Sequence, residues 1–311
     1  MKNTRAALRR RLLGCAFSLF AALQASADSL RFTQDADGAI TTAKRDGRLL
    51  MFLIFDRSRN VNSRERNRIK RVLQDPQLAE AERRFIPVEL NSAEHLPEMR
   101  RWGLGEKANF EIAFVTPSGK LIHHCRIGTV DNMITQIRTA WTEYGAAVYN
   151  DEVEPALTAR SLRIKDVRDA LLKVRALEIQ DAGPDVLSLL DRDGLSDLRP
   201  DLFRTLAALS APRGVRLLLD RAAKEPEAAD ALTECTPMAT ELLLEGLVHE
   251  DPATRRIAYR AVTEVCRIPA PKTESFWEKA TAKAKRDEIR RVRELARKYA
   301  AKYQQDLPEQ R

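Results

Sequence analysis

The chain has 311 residues, of which 44% are hydrophobic and 32% charged, with a formal net charge of +8. Its length predicts two domains, and beyond the first two dozen residues no segment approaches the ~18 uninterrupted apolar residues that a membrane-spanning helix needs. The positive charge does not make the whole chain a nucleic-acid binder, because Lys2, Arg5, Arg9, Arg10 and Arg11 stand together at the N-terminus with no acid among them.

Those five residues precede an apolar run from Leu12 to Leu23 and the small-x-small triplet Ala25-Ser26-Ala27. That order is the pattern of a secretory signal peptide. Residues 1–27 are therefore expected to be removed, leaving a mature chain that begins near Asp28 in an exported compartment, periplasmic or extracellular. Cleavage would lower the net charge from +8 to +3. The remaining charge is uneven: residues 28–150 hold 19 basic and 16 acidic side chains, 151–271 hold 17 and 22, and 272–311 hold 12 and 7. A mildly basic region, an acidic one and a basic end follow in turn. Cys15 leaves with the signal, while Cys125, Cys235 and Cys266 remain where disulfides persist. An odd count leaves at least one thiol free or paired between chains.

In the first domain, residues 28–150, Ala39, Ile40 and Ala43 recur at helical spacing up to Gly47, and a buried strand is expected from Leu49 to Phe55. A loop dense in arginine follows: between Asp56 and Arg71 six arginines and one lysine meet two acids. Ile69, Val72 and Leu73 then mark a helix that Asn62 is placed to cap, with Glu65 three residues on to reach back. Strands are expected over residues 84–90 and 112–115, a turn at "TPSG", a returning antiparallel strand over 121–127 and an amphipathic helix over 131–144. Cations in a helix's first turn oppose its dipole, so the arginines admit two readings. Either Arg57, Arg59, Arg64 and Arg66 hold an anion or a partner against the helix amides, or all four are solvated side chains of a loop.

The motifs "AKRDGRLLMFLIFD", "RVLQDPQLAEA", "FIPVELN" and "FVTPSGKLIHHCRIG", taken in this order, resemble the thioredoxin-like superfamily, in particular its secreted members, over nearly all of residues 35–145. The resemblance implies a thioredoxin-like fold, with a Cys-x-x-Cys at the start of the helix after the first strand and a cis-proline before the strand leading into the hairpin. This chain departs at both places. Counted back from "VLQDP", the two cysteines fall at Asn62 and Glu65; counted forward from the strand, they fall at Asn60 and Ser63. The cis-proline position aligns with Phe110. Disulfide exchange needs an activated thiolate and a second thiol to resolve the mixed disulfide, and neither register supplies them. Cys125, in the hairpin strand, reads as a structural thiol. His123 and His124 are successive strand residues that point to opposite faces, and His95 and His249 have no ligand-like spacing around them. No metal, cofactor or catalytic residue is assigned, and no hydrolase elbow, phosphate loop or dinucleotide fingerprint occurs.

In the second domain, residues 151–311, no two-residue period remains from Lys165 on and the chain reads as short helices, punctuated by Gly or by Pro at a first turn. Pro184, Pro212 and Pro237 each open a Leu-rich helix, at spacings of 28 and 25 residues. This irregular repeat resembles HEAT-type α-solenoids, with "DPATRRIAYRAVTEV" the nearest match to their first helix. The resemblance implies stacked helix pairs with a concave protein-binding face; a plain helical bundle is the alternative. The final helices, about residues 273–304, carry Ile289, Val292, Ala296, Tyr299 and Tyr303 on one stripe, as a cap does, or as a basic helix on an anionic lipid surface or polyanion does. Cys235 ends one helical segment and Cys266 the helix after next, so stacked pairs would bring them to one edge, where they are a candidate disulfide or two buried thiols.

The expected fold is thus α/β plus all-α: a thioredoxin-like domain followed by a HEAT-like array. The expected function is that of an exported, non-catalytic adaptor that binds another protein. The alternative is thiol–disulfide exchange or a redox chaperone using Cys125 or Cys235 with Cys266. Nucleic acid is not an expected partner, since export separates the chain from it and no aromatic-basic readout motif accompanies the arginines.

Overall fold

The computed structural model describes residues 30–55, 63–104 and 110–306, so the expected signal peptide lies outside the described residues. The structure is mixed α and β, rich in helix, with one four-stranded sheet. Its contacts divide it into two units, residues 1–140 and 141–311. Among the described residues no helix is long and apolar enough to cross a membrane.

In the first unit, helix α1 (Ala36–Asp46) starts at Asp35, whose carboxylate accepts from the Gly38 amide, and ends at Gly47 in the left-handed region, φ 66°. Glycine adopts that backbone without the clash a Cβ would bring, and strand β1 (Leu49–Phe55) can start two residues on. Helix α2 (Ser63–Leu73) buries Ile69, Val72 and Leu73. Strand β2 (Phe85–Asn91) pairs parallel with β1, Leu49 opposite Phe85. After α3 (Leu96–Arg101), strand β3 (Glu111–Val115) runs antiparallel to β1, and β4 (Leu121–Arg126) returns along β3. The sheet order is β2-β1-β3-β4. Thr33 adds a bridge to Val88 that the sequence gives no reason to expect.

Alternation splits the sheet into two apolar faces. Leu50, Phe52, Ile54, Val88, Ala113 and Val115 pack with Ala39 and Ala43 of α1 and with Met99, and Trp102 stacks on Phe52 at 5.1 Å. On the other face Leu49, Met51, Phe85, Ile112 and Phe114 are all fully buried, with Phe85 and Phe114 edge to face at 5.3 Å.

The division between units falls inside helix α4 (Val130–Val148), about two turns before its end and ten residues before the boundary expected at residue 150. The reason is packing: Val148, with Tyr144 and Tyr149 beside it, belongs to the core of the helical unit. A π-turn at Tyr149–Val153 carries the chain into α5 (Glu154–Thr158). Then follow α6 (Ile164–Leu177), α7 (Gly183–Leu189), α8 (Arg199–Leu209), α9 (Pro212–Ala222) and α10 (Pro226–Ala231). Pro184 and Pro212 each open a helix as expected, whereas Pro237 opens a single 3-10 turn ahead of α11 (Thr240–Gly246). The last are α12 (Pro252–Val265), α13 (Glu274–Lys279) and α14 (Ala282–Asp306).

Each helix of this unit makes its main contacts with helices no more than three places along: α6 and α7 with α8, α8 with α9 and α10, α9 with α11 and α12, and α11 and α12 with α14. Many of the polar side-chain links fall at a similar step. Tyr149–Asp185, Arg168–Asp201, Ser210–Thr236, Asp230–Arg260, Thr240–Cys266 and Tyr259–Glu288 join positions 26 to 36 residues apart.

Candidate functional site

Of the residues singled out in the first unit, Arg57, Arg59, Asn60 and Asn62 lie outside the described residues. Ser63, Arg64, Glu65 and Arg66 form the first turn of α2; all but the half-exposed Glu65 are exposed. Arg68, one turn on, donates to both Glu65 oxygens at 2.7 and 3.0 Å and also to the carbonyls of Ile127 and Gly128 at 3.0 and 2.9 Å. Its hydrogen bonds hold the Glu65 carboxyl below the usual range. Ile127 in turn donates its amide to the Phe110 carbonyl at 3.4 Å. The first turn of α2 and Phe110 are thereby linked through one arginine and one strand end. Phe110 holds a left-handed backbone, φ 56°, a conformation that costs a residue with a side chain ~1–2 kcal/mol.

No described residue of this locality carries sulfur. Cys125 pairs across the sheet with Ile112, and burial, aided by the Glu111 charge, pushes its thiol up to about 12. At neutral pH it is a thiol, not the thiolate that exchange requires. His123 and His124 meet different partners, Gln136 and Glu111, each at 2.6 Å.

In the helical unit Cys235 and Cys266 are both buried and free, unjoined in the structure. Burial pushes Cys235 up to about 12 and also raises Cys266, whose sulfur lies 3.4 Å from the Thr240 hydroxyl.

A polar network also surrounds α12. Asp251 caps that helix, accepting from the amides of Ala253 and Thr254 at 3.1 and 3.0 Å and from the Thr254 hydroxyl at 2.9 Å; these bonds hold its carboxyl below the usual range. About two turns on, Tyr259 is buried, donates to Glu288 at 2.7 Å and accepts from the Lys272 amide at 2.6 Å. Glu288, only 5% exposed, also accepts twice from Arg291, at 2.7 and 2.9 Å. Burial pushes its carboxyl up, but the Arg291 and Tyr259 bonds outweigh that and hold it below the usual range. Burial pushes the Tyr259 phenol up to about 12, with Glu288 adding to the effect and the Lys272 amide opposing it. Trp277 stands edge-on to Tyr259 at 4.7 Å, its Nε1–H buried without an acceptor.

Over this network lies a groove of about 420 Å³. One wall is the face of α12 that presents Ala253, Arg256, Ile257, Arg260, Thr263 and Glu264; the other is residues 271–274 with Trp277. Positions three and four apart share a helix face, which is why these α12 residues line up. The sequence reading missed the groove, although one signal was present: Glu288 falls on the same helical stripe as Val292 and Ala296, and an acid on an apolar stripe demands partners. No protein-family model matches the chain, and no curated protein matches it either.

Proposed function

We propose that the chain is an exported, non-catalytic protein-binding module, in which a thioredoxin-like domain without its dithiol precedes a HEAT-like helical array that holds the partner. The observation that carries this reading is the near-neighbour packing of the helical unit, with links recurring every 26 to 36 residues. Helix pairs that bury their faces only on adjacent pairs leave long surfaces uncovered, and such surfaces commonly bind proteins. Support for the thioredoxin-like half comes from the parallel β1–β2 pair, the antiparallel β3–β4 hairpin and their flanking helices. Export rests on the basic, apolar and small-residue order of residues 1–27. The redox alternative is disfavoured by two cysteines whose thiols are pushed to about 12.

The test has two arms on the full chain. Insulin reduction with dithiothreitol should run at the uncatalysed rate, with or without Cys125→Ser. Photo-crosslinking of the full chain in the exported fraction of its own cell should give one saturable protein adduct. Thioredoxin-like turnover lost in Cys125→Ser, or no saturable adduct, overturns the reading.

A further inference from the structure

The groove over α12 has the dimensions and the unmet valences of a site for an extended chain. From Ala253 to Glu264 the α12 wall runs eleven residues, about 16 Å at 1.5 Å per residue. An extended peptide covers that length with about five residues at ~3.3 Å each. Ile257, Pro271 and the Trp277 ring give the lining an apolar part.

The polar groups are unequal. Arg260 is taken, since its guanidinium donates to Asp230 at 2.7 Å and to the Ala229 carbonyl at 3.2 Å. Arg256, on the same wall, is exposed and forms no ion pair or hydrogen bond among the described residues. Lys272, on the facing wall, sets its ammonium over the Phe276 ring at 5.8 Å and has no carboxylate partner within ion-pair distance among the described residues. Trp277 contributes its ring to the lining, its indole N–H being buried away from solvent. One unpaired cation on each wall calls for a carboxylate. Glu264 and Glu274 also line the groove, and they would repel a run of acids. What fits is a single acid among apolar residues.

Building on the protein-binding reading, we infer that this groove binds an extended apolar peptide segment of a partner protein that carries one carboxylate, held between Arg256 and Lys272 and over Trp277. Bidentate contact from the guanidinium to a carboxylate supplies the directional part of recognition, and the apolar flanks supply the buried area.

The test is an array of capped pentapeptides in which a central Asp, Asn or Lys is flanked by every pairing of Ala, Val, Leu, Phe and Tyr, probed with labelled full chain. Members of the Asp series should bind, with the matching Asn peptides at least tenfold weaker and pentaglutamate no better than these. The double variant R256E/K272E alters two exposed side chains, and it should exchange the Asp preference for a Lys preference, which an unfolded protein could not do. W277F should weaken all bound members severalfold and leave the preference unchanged. Equal binding of the Asp, Asn and Lys series, no binding of any, or an Asp preference that survives R256E/K272E overturns the inference. A crosslinked partner retained equally by wild type and R256E/K272E removes this groove while leaving the protein-binding reading standing.

Discussion

The two units solve the same burial problem with opposite connectivity. In the sheet unit β1 is central, and each of its neighbours comes from a distant part of the chain: Leu49 meets Phe85 and Leu50 meets Val115. In the helical unit every main partner lies within three helices along the chain. A core built on distant pairings stands or falls as a whole, because each loop closure is repaid only when the others are made. One built on adjacent pairings can lose a part and keep the rest.

The sharpest way to break this contrast is at Phe114, fully buried on β3 against Phe85. Phe114→Ala should cost about 3–5 kcal/mol. Hydrogen-exchange mass spectrometry should show all four strands losing protection together. Loss confined to β3 and β4 would mean that the sheet is not one cooperative element.

The helical counterpart is Gly246. A Cβ there would lie 2.7 Å from the Ala258 Cβ and 2.9 Å from a Leu219 methyl. Although alanine favours helices, Gly246→Ala should destabilise by about 1–3 kcal/mol through overpacking, with protection lost over α9 to α12 and kept over α6 and α7. A uniform loss across the unit would erase the distinction from the sheet.

Tyr259→Phe removes a donor from buried Glu288 and should cost about 1–3 kcal/mol, read as a lower urea midpoint for the segment that holds α12 and α14. Alkaline titration separates the units further, since all five tyrosines lie between residues 144 and 303. Tyr149, through its bond to Asp185, and Tyr259, through burial, are both raised to about 12. A raised acid pKa means that folding favours the neutral phenol. That stability is complete below the ordinary tyrosine value of about 10 and is lost as pH rises through about 12. Thermal scans across that window should show a helical unit that weakens with pH, and Tyr149→Phe should flatten part of the slope.

The smallest expected effect is a gain. Gly145 in α4 has room for a Cβ, its nearest neighbour being an Ile179 carbon at 3.8 Å. Gly145→Ala should therefore stabilise by ~0.5–1 kcal/mol, visible as a small rise in melting temperature. Together with Gly246→Ala it shows whether local space, and not helix preference, sets the sign.

Much of the element order was legible because it rests on local rules. The apolar run at Leu49–Phe55, the stop at Gly47 and the Asp251-Pro252 start of α12 are each written within a few residues. What local rules could not supply was anything that depends on distant neighbours. The bridge from Thr33 to Val88, the end of α4 joining the helical core, and the meeting of Arg68 with Ile127 and Gly128 each join residues whose pairing has no periodic signature. The groove was hidden for the same reason, since its walls belong to a helix face and a connecting segment that look solvated when read alone.

The step of 26 to 36 residues between linked positions also bears on how such a chain can change over generations. A helix pair inserted between α9 and α12 needs only to offer one face backwards and one forwards, because the main contacts of each helix reach no further than three places along. The ion pairs that join exposed positions, such as Arg297 with Glu241, are screened by water and add little to stability, so breaking one in a duplication is tolerable. A strand inserted beside β1 has no such freedom: it would have to displace β2 or β3 and all of their hydrogen bonds at once. Length variation is therefore expected to accumulate in the helical unit, and the sheet unit to keep its size.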